Sequence, residues 1–145
     1  MWPNRMKAAA AESAARPERP LVLIVDDEAP IRELESRMLT QAGFETILMD
    51  DAEKAMAVIR DGKPVDLVIA DVHMPNMNGD EMARRIRALR PDLKILFVTG
   101  FADTLFDSQP VLWENQAFLD KPFTRRGLLE AVALLLDGNL RRAAG

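Results

Sequence analysis

Val65-Asp66-Leu67-Val68-Ile69-Ala70-Asp71 reads as a buried strand that closes on a carboxylate, and the rest of the chain repeats the device. Upstream, Leu21-Val22-Leu23-Ile24-Val25 closes on Asp26-Asp27. Downstream, Ile95-Leu96-Phe97-Val98 closes on Thr99, and Ala117-Phe118-Leu119-Asp120 closes on Lys121. Continuous apolar runs suit strands covered on both faces, as in parallel sheets. In an open parallel sheet the carboxyl ends of the strands share one edge, and ligands bind there. Three carboxylates, a hydroxyl and an ammonium gathered at that edge suit a divalent cation and a phosphoryl group.

Between these strands the period becomes helical. Pro30 sits near a helix start, Ile31, Leu34, Met38 and Ala42 follow at helical spacing, and Gly43 fits a C-terminal cap. Phe44 to Met49 reads as the second strand. Asp51 can cap a helix carrying Ala55, Met56 and Ile59, which Asp61-Gly62 ends. Pro75, Asn76, Asn78 and Gly79 read as a loop. Met82, Ile86 and Leu89 form the expected inward face of the next helix, stopped by Pro91, before a strand over Lys94 to Val98. Residues 101–116, interrupted by Pro110, are expected to form an irregular fourth helix. Thr124 can cap a last helix whose Leu128, Leu129, Val132, Leu135 and Leu136 face the core. The result is an α/β domain, doubly wound around five parallel strands, with five helices. Residues 1–19, rich in Ala, Arg and Pro, are expected to be a disordered arm. Residues 20–138 are the folded domain and 139–145 a flexible tail.

The bulk numbers narrow the function. A chain of 145 residues, 48% apolar and 29% charged, suits one soluble domain with one core. A formal charge of −4 argues against nucleic-acid binding through a general basic face. The absence of cysteine excludes disulfides and thiolate metal sites, and the single histidine, His73, excludes a multi-histidine site. No apolar run approaches the roughly 18 residues of a membrane span. The alanine run Ala8 to Ala11 ends at Glu12, too short for a signal-peptide core, so a cytoplasmic protein without membrane insertion is expected.

Asp26, Asp27 and Asp71 repel one another when brought together, and a divalent cation compensates. An all-oxygen site with few carboxylates and room for water suits Mg²⁺. A carboxylate can also attack phosphorus to give an acyl phosphate, while the protein positions groups and neutralises charge. Lys121 can share that neutralisation, and Thr99 can donate a hydrogen bond to a phosphoryl oxygen.

These residues resemble the response-regulator receiver domain of bacterial two-component signalling, of the single-domain chemotaxis-regulator type. The motifs are Val25-Asp26-Asp27-Glu28, Asp71-Val72-His73-Met74-Pro75-Asn76-Met77-Asn78-Gly79, Val98-Thr99-Gly100 and Lys121-Pro122-Phe123, in order over residues 20–137. The resemblance implies a flavodoxin-like sheet of order 2-1-3-4-5, with its crevice between strands one and three. It implies Asp71 as phosphoacceptor. Asp27 and Asp71 would bind Mg²⁺ with the backbone carbonyl of His73, and Asp26 would act largely through bound water. Lys121 would pair with the phosphoryl group, and its bond to Pro122 is expected to be cis. Thr99 and Phe118 would form the switch, the hydroxyl moving onto the phosphoryl group and the ring turning inward. Phe118 stands where Tyr is common, so it offers no hydroxyl to a partner. The implied partners are a histidine kinase or histidine phosphotransfer protein, an unknown output protein, and a second copy in a phosphorylation-dependent homodimer. The implied chemistry is limited to phosphorylation and dephosphorylation of the chain's own aspartate.

Two other functions compete. A phosphohydrolase of the haloacid-dehalogenase type needs Asp-x-Asp after a strand; here the pair is adjacent, and Asp71 has no acid two residues on. A phosphorylation-independent pseudo-receiver would lack the acceptor, the acidic pair or the lysine, and all are present. Nucleotide-binding folds fail because no Gly-x-Gly-x-x-Gly follows the first strand.

Overall fold

The computed structural model describes residues 19–72, 74, 77–100 and 116–137. In chain order these form β1 (Leu21–Val25), α1 (Ala29–Gln41), β2 (Glu45–Met49), α2 (Ala52–Arg60), β3 (Leu67–Asp71), α3 (Gly79–Leu89), β4 (Lys94–Thr99), β5 (Gln116–Asp120) and α4 (Arg125–Leu136). All strand pairs are parallel, in the order β2-β1-β3-β4-β5. This is the doubly wound, flavodoxin-like α/β fold. Among the described residues there are four helices: of the expected fourth of five, over 101–116, residues 101–115 lie outside them and Gln116 opens β5. The N-terminal arm up to residue 18, His73, Pro75, Asn76 and residues 138–145 also lie outside them.

Alternation along the central strands builds two cores. Leu23, Val25, Val68, Ala70, Ile95 and Phe97 face one side, with Ala55, Met56 and Ile59 of α2 and Met82 and Ile86 of α3. Val22, Ile24, Leu67, Ile69, Leu96 and Val98 face the other, with Leu39 of α1 and Leu128, Val132 and Leu135 of α4. Each fully buried aliphatic side chain stabilises by roughly 1.5–3 kcal/mol, so the two layers carry the fold. Leu129 and Leu136 of α4 are half-buried against the second core. Met74 and Met77, which follow β3, pack into the first.

Helix starts follow local chemistry. The Asp51 carboxylate accepts from the N–H groups of Glu53 and Lys54, the Asn78 side chain from Glu81 N–H, and Thr124 Oγ1 from Gly127 N–H. The Asn78-Gly79 pair is therefore a helix start, not loop; the turn-forming composition of Pro75 to Gly79 hides a cap. At the other end of α1 the chain turns through Gly43 at φ +100°, a conformation that favours glycine.

Three expectations about buried faces and strand bounds need correction. The centre of the buried stripe of α1 is Glu35 and Leu39; Ile31, Leu34 and Met38 are only half-buried, and Ala42 is exposed. An apolar count passes over Glu35 because it is charged, and so rotates the face toward Leu34. On α3, Leu89 is 41% exposed. At 3.6 residues per turn it lies roughly 70° from the centre of the Gly79, Met82, Ala83 and Ile86 stripe. Finally, β3 starts at Leu67: Val65 N–H turns back to Lys63 O, and the Asp66 carboxylate accepts from Leu21 N–H at 2.8 Å.

Candidate functional site: an acidic pocket at the carboxyl edge

The β1–β3 register sets Val25 beside Ala70, so Asp26 and Asp71 emerge side by side where the strand order reverses. Asp26 is 1% exposed and Asp71 is buried, while Asp27 is exposed. Each of the three offers a carboxylate oxygen lying within 4.8 Å of the others. Asp26 is fixed from several directions. Its N–H continues the ladder to Met49 O at 3.1 Å, its Oδ1 accepts from Glu28 N–H at 2.9 Å, and its carbonyl accepts from Arg32 Nη1 at 2.6 Å. Burial pushes the Asp26 carboxyl up to about 6; the Glu28 N–H and Lys121 oppose this, and Asp71 and Glu28 add to it by repulsion.

From the β5 side, Lys121 Nζ donates to Asp71 Oδ2 at 3.3 Å, and its backbone N–H donates to Thr99 O at 2.7 Å. The Lys121–Pro122 bond is cis. Burial pulls the Lys121 ammonium down, but attraction to Asp71 and Asp26 and the hydrogen bond to Asp71 outweigh it, leaving a raised pKa. Lys121 is therefore a firmly held cation.

The structure brings Asp26, Asp27, Asp71 and Lys121 into one pocket. Thr99 is 1% exposed at the end of β4, where its hydroxyl donates to Gly100 O at 3.1 Å. Phe118 is paired in register with Phe97, and the two rings stack with centroids 5.3 Å apart. The backbone carbonyl of His73 falls outside the described residues. Glu35, which the sequence reading passed over, is buried in α1, and neither of its carboxyl oxygens meets a hydrogen-bond partner among the described residues. Burial, and then Asp26 and Asp71 against relief from Lys121, push it up to about 8. The signal available in the sequence was its place between Ile31 and Leu39 at helical spacing.

The donor set fits a hard divalent cation: oxygen only, three carboxylates, one exposed to water. Burial raises the Asp26 carboxyl and repulsion from Asp71 adds to it, so a cation held there would favour its charged form. Together, fold and pocket define a class: a doubly wound domain with a cation-type acidic pocket built on two buried aspartates and one exposed one at the strand-order reversal.

Comparison with known proteins narrows the class. The family described as "Response regulator receiver domain" matches residues 22–133, and the chain belongs to it. The response regulator receiver protein CpdR of Brucella abortus (strain 2308) is 31% identical over 115 residues, covering 79% of this chain and 95% of that protein. Sensor kinase CckA of the same organism is 32% identical over 117 residues, covering 80% of this chain but only 12% of that protein. Among solved structures, chemotaxis response regulator CheY4 of Vibrio cholerae superposes with a TM-score of 0.72 at 29% identity, covering 81% of this chain and 99% of that one. The protein is thus a phosphoacceptor signalling switch of the two-component type. No helix among the described residues is long and apolar enough to cross a membrane.

Proposed function

We propose that Asp71 accepts a phosphoryl group from the phosphohistidine of a histidine kinase or phosphotransfer protein. A carboxylate oxygen of Asp71 forms the new O–P bond as the N–P bond to the donor imidazole breaks, and the electron pair returns to that ring. The observation that carries this reading is the convergence on Asp71: two further carboxylates with oxygens within 4.8 Å, and an ammonium at 3.3 Å. Asp26, Asp27 and Asp71 would hold Mg²⁺, together with the backbone carbonyl of His73. Bound there, Mg²⁺ would supply positive charge against the phosphoryl oxygens.

The chain's own groups do the rest. Lys121 keeps its charge and passes from the Asp71 carboxylate to the phosphoryl oxygens. Thr99 turns its hydroxyl from Gly100 O onto the same group, and Phe118 changes its seat in response. A local change of charge thereby biases a two-state element. Turnover is confined to the chain's own aspartate, with no external ester as substrate. We place the switch in residues 20–138, in the cytoplasm, with an output protein or a second copy reading the changed surface.

Intact mass after incubation with Mg²⁺ and a small acyl-phosphate donor tests this, beside Asp71→Ala. A gain of one phosphoryl that needs both Mg²⁺ and Asp71 is the expected result. Retention of the gain in Asp71→Ala would move the acceptor elsewhere. No gain, together with no conformational response to beryllofluoride, would make the chain a pseudo-receiver.

A further inference from the structure

Phe118 has a packed neighbour that bears on how the switch moves. In the β4–β5 register it stands opposite Phe97, with ring planes 28° from parallel. Phe97 is 2% exposed. The same ring also reaches the first residue of α3: a Cβ added to Gly79 would fall 3.0 Å from Phe97 Cε1, 3.2 Å from Phe97 Cδ1 and 3.3 Å from Val72 Cα. Glycine suits this approach, because a Cβ here would push the ring or the backbone by a few tenths of an ångström. Gly79 N–H donates to Val72 O at 2.7 Å, and Val72 N–H donates to Val98 O at 3.1 Å. The residue that follows Asp71 is therefore tied to the start of α3 and to β4. The Phe97 ring touches both the start of α3 and Phe118.

We propose that Phe97 is a positioning residue of the switch, carrying displacement of the loop after Asp71 from the start of α3 to the Phe118 ring through packing alone, in parallel with the Thr99 hydroxyl. This rests on the reading of Asp71 as phosphoacceptor and Phe118 as the moving ring. Interiors packed to crystal density pass on displacements of a fraction of an ångström, since no void absorbs them. Leucine at position 97 would keep the core apolar but lose the flat face that seats Phe118 and the edge that meets Gly79. Coupling of this kind must be shown by its effect on the two-state element, not by proximity.

The test uses the full chain carrying 4-fluorophenylalanine at position 118, followed by fluorine NMR with and without Mg²⁺ and beryllofluoride. In Phe97→Leu, the phosphoryl gain at Asp71 should persist by mass, while the displacement of the position-118 resonance on adding beryllofluoride falls to less than half. An unchanged displacement would overturn the proposal. A second arm needs no loading. Gly79→Ala pushes on Phe97 without touching Phe118, so it should shift the resting resonance, and Phe97→Leu should abolish that shift. A resting resonance unmoved by Gly79→Ala overturns the proposal even where Phe97→Leu does not fold. If the Asp71 reading itself fails, the wild-type chain shows neither mass gain nor beryllofluoride response, and the resting arm still decides whether Phe97 links α3 to Phe118.

Discussion

Glu35→Leu should stabilise the fold, by an amount that grows with pH. The carboxyl lies at the centre of the buried stripe of α1, 1% exposed, in the layer packed against Leu39 and the inner strands. Burial first, and then the neighbouring Asp26 and Asp71 charges, move it from 4.5 to about 8. In the unfolded chain the group ionises near 4.5, so between the two values the folded state holds a proton that the unfolded state has lost. Stability is therefore full below the lower value, falls as pH rises, and reaches its floor above the higher one. At ~1.4 kcal/mol per pH unit the whole fall is about 5 kcal/mol, with about 3 kcal/mol already lost at neutral pH. That is comparable to the total stability of a marginal domain.

Urea unfolding with a metal chelator present, at about pH 5 and about pH 8.5, measures this in the wild type and in Glu35→Leu. The variant should be more stable at both, because a buried leucine replaces an acid without partners among the described residues, and its advantage should widen by several kcal/mol at the higher pH. Asp26, pushed up to about 6, gives both proteins a common slope in the lower part of the range. The difference between them therefore isolates Glu35. Parallel pH–stability curves for the two proteins would refute the reasoning, since they would mean that Glu35 reaches water or a partner in the folded state.

Other predictions follow from the pocket and the caps. Because the Asp26 carboxyl sits at about 6, Mg²⁺ affinity should fall as pH drops through that value and Asp26 takes up a proton; calorimetric titration showing equal affinity on both sides would refute it. Lys121→Ala should uncouple loading from the conformational response, because the ammonium 3.3 Å from Asp71 Oδ2 is the group that must follow the phosphoryl oxygens; a full Phe118 response in that variant would refute the role. Asp51→Ala removes the acceptor of two backbone N–H groups at the start of α2 and should cost about 1 kcal/mol in urea unfolding, with no change in loading.

Most of the sheet was legible in the sequence because both faces of β1, β3 and β4 are covered, and that coverage writes itself as unbroken apolar runs. The pocket was legible for the same reason: a polar residue closing such a run must stand at the sheet edge. What was not legible depended on tertiary context. Periodicity misplaces the face of α1 because it counts apolar residues, and the centre of the stripe is a carboxyl. The Asn78 cap is hidden in the sequence because asparagine and glycine serve both turns and helix starts, and only the hydrogen bond from Glu81 N–H decides between them. The stacking of Phe97 on Phe118 needed the register of two strands that are distant in sequence. Pairing the strands one residue out would have put those rings on opposite faces.

The placement of charge explains why such a domain is suited to switching. Two carboxylates, Asp26 and Asp71, are buried within reach of one half-buried ammonium, and a third buried acid, Glu35, stands behind them. Burial raises the Asp26 and Glu35 carboxyls, and repulsion among the acids adds to it, so the pocket holds unfavourable electrostatic energy that a compensating charge relieves. A ligand that binds only the folded state then stabilises it by mass action, and a new charge on Asp71 changes which groups Lys121 and Thr99 prefer. The surrounding layers are dense, with Phe97, Gly79 and Phe118 in direct succession around β4. Relief of charge at the edge must therefore be taken up by discrete repacking and not by gradual drift. A domain with a neutral, satisfied pocket would be more stable, but it would have nothing for phosphorylation to change.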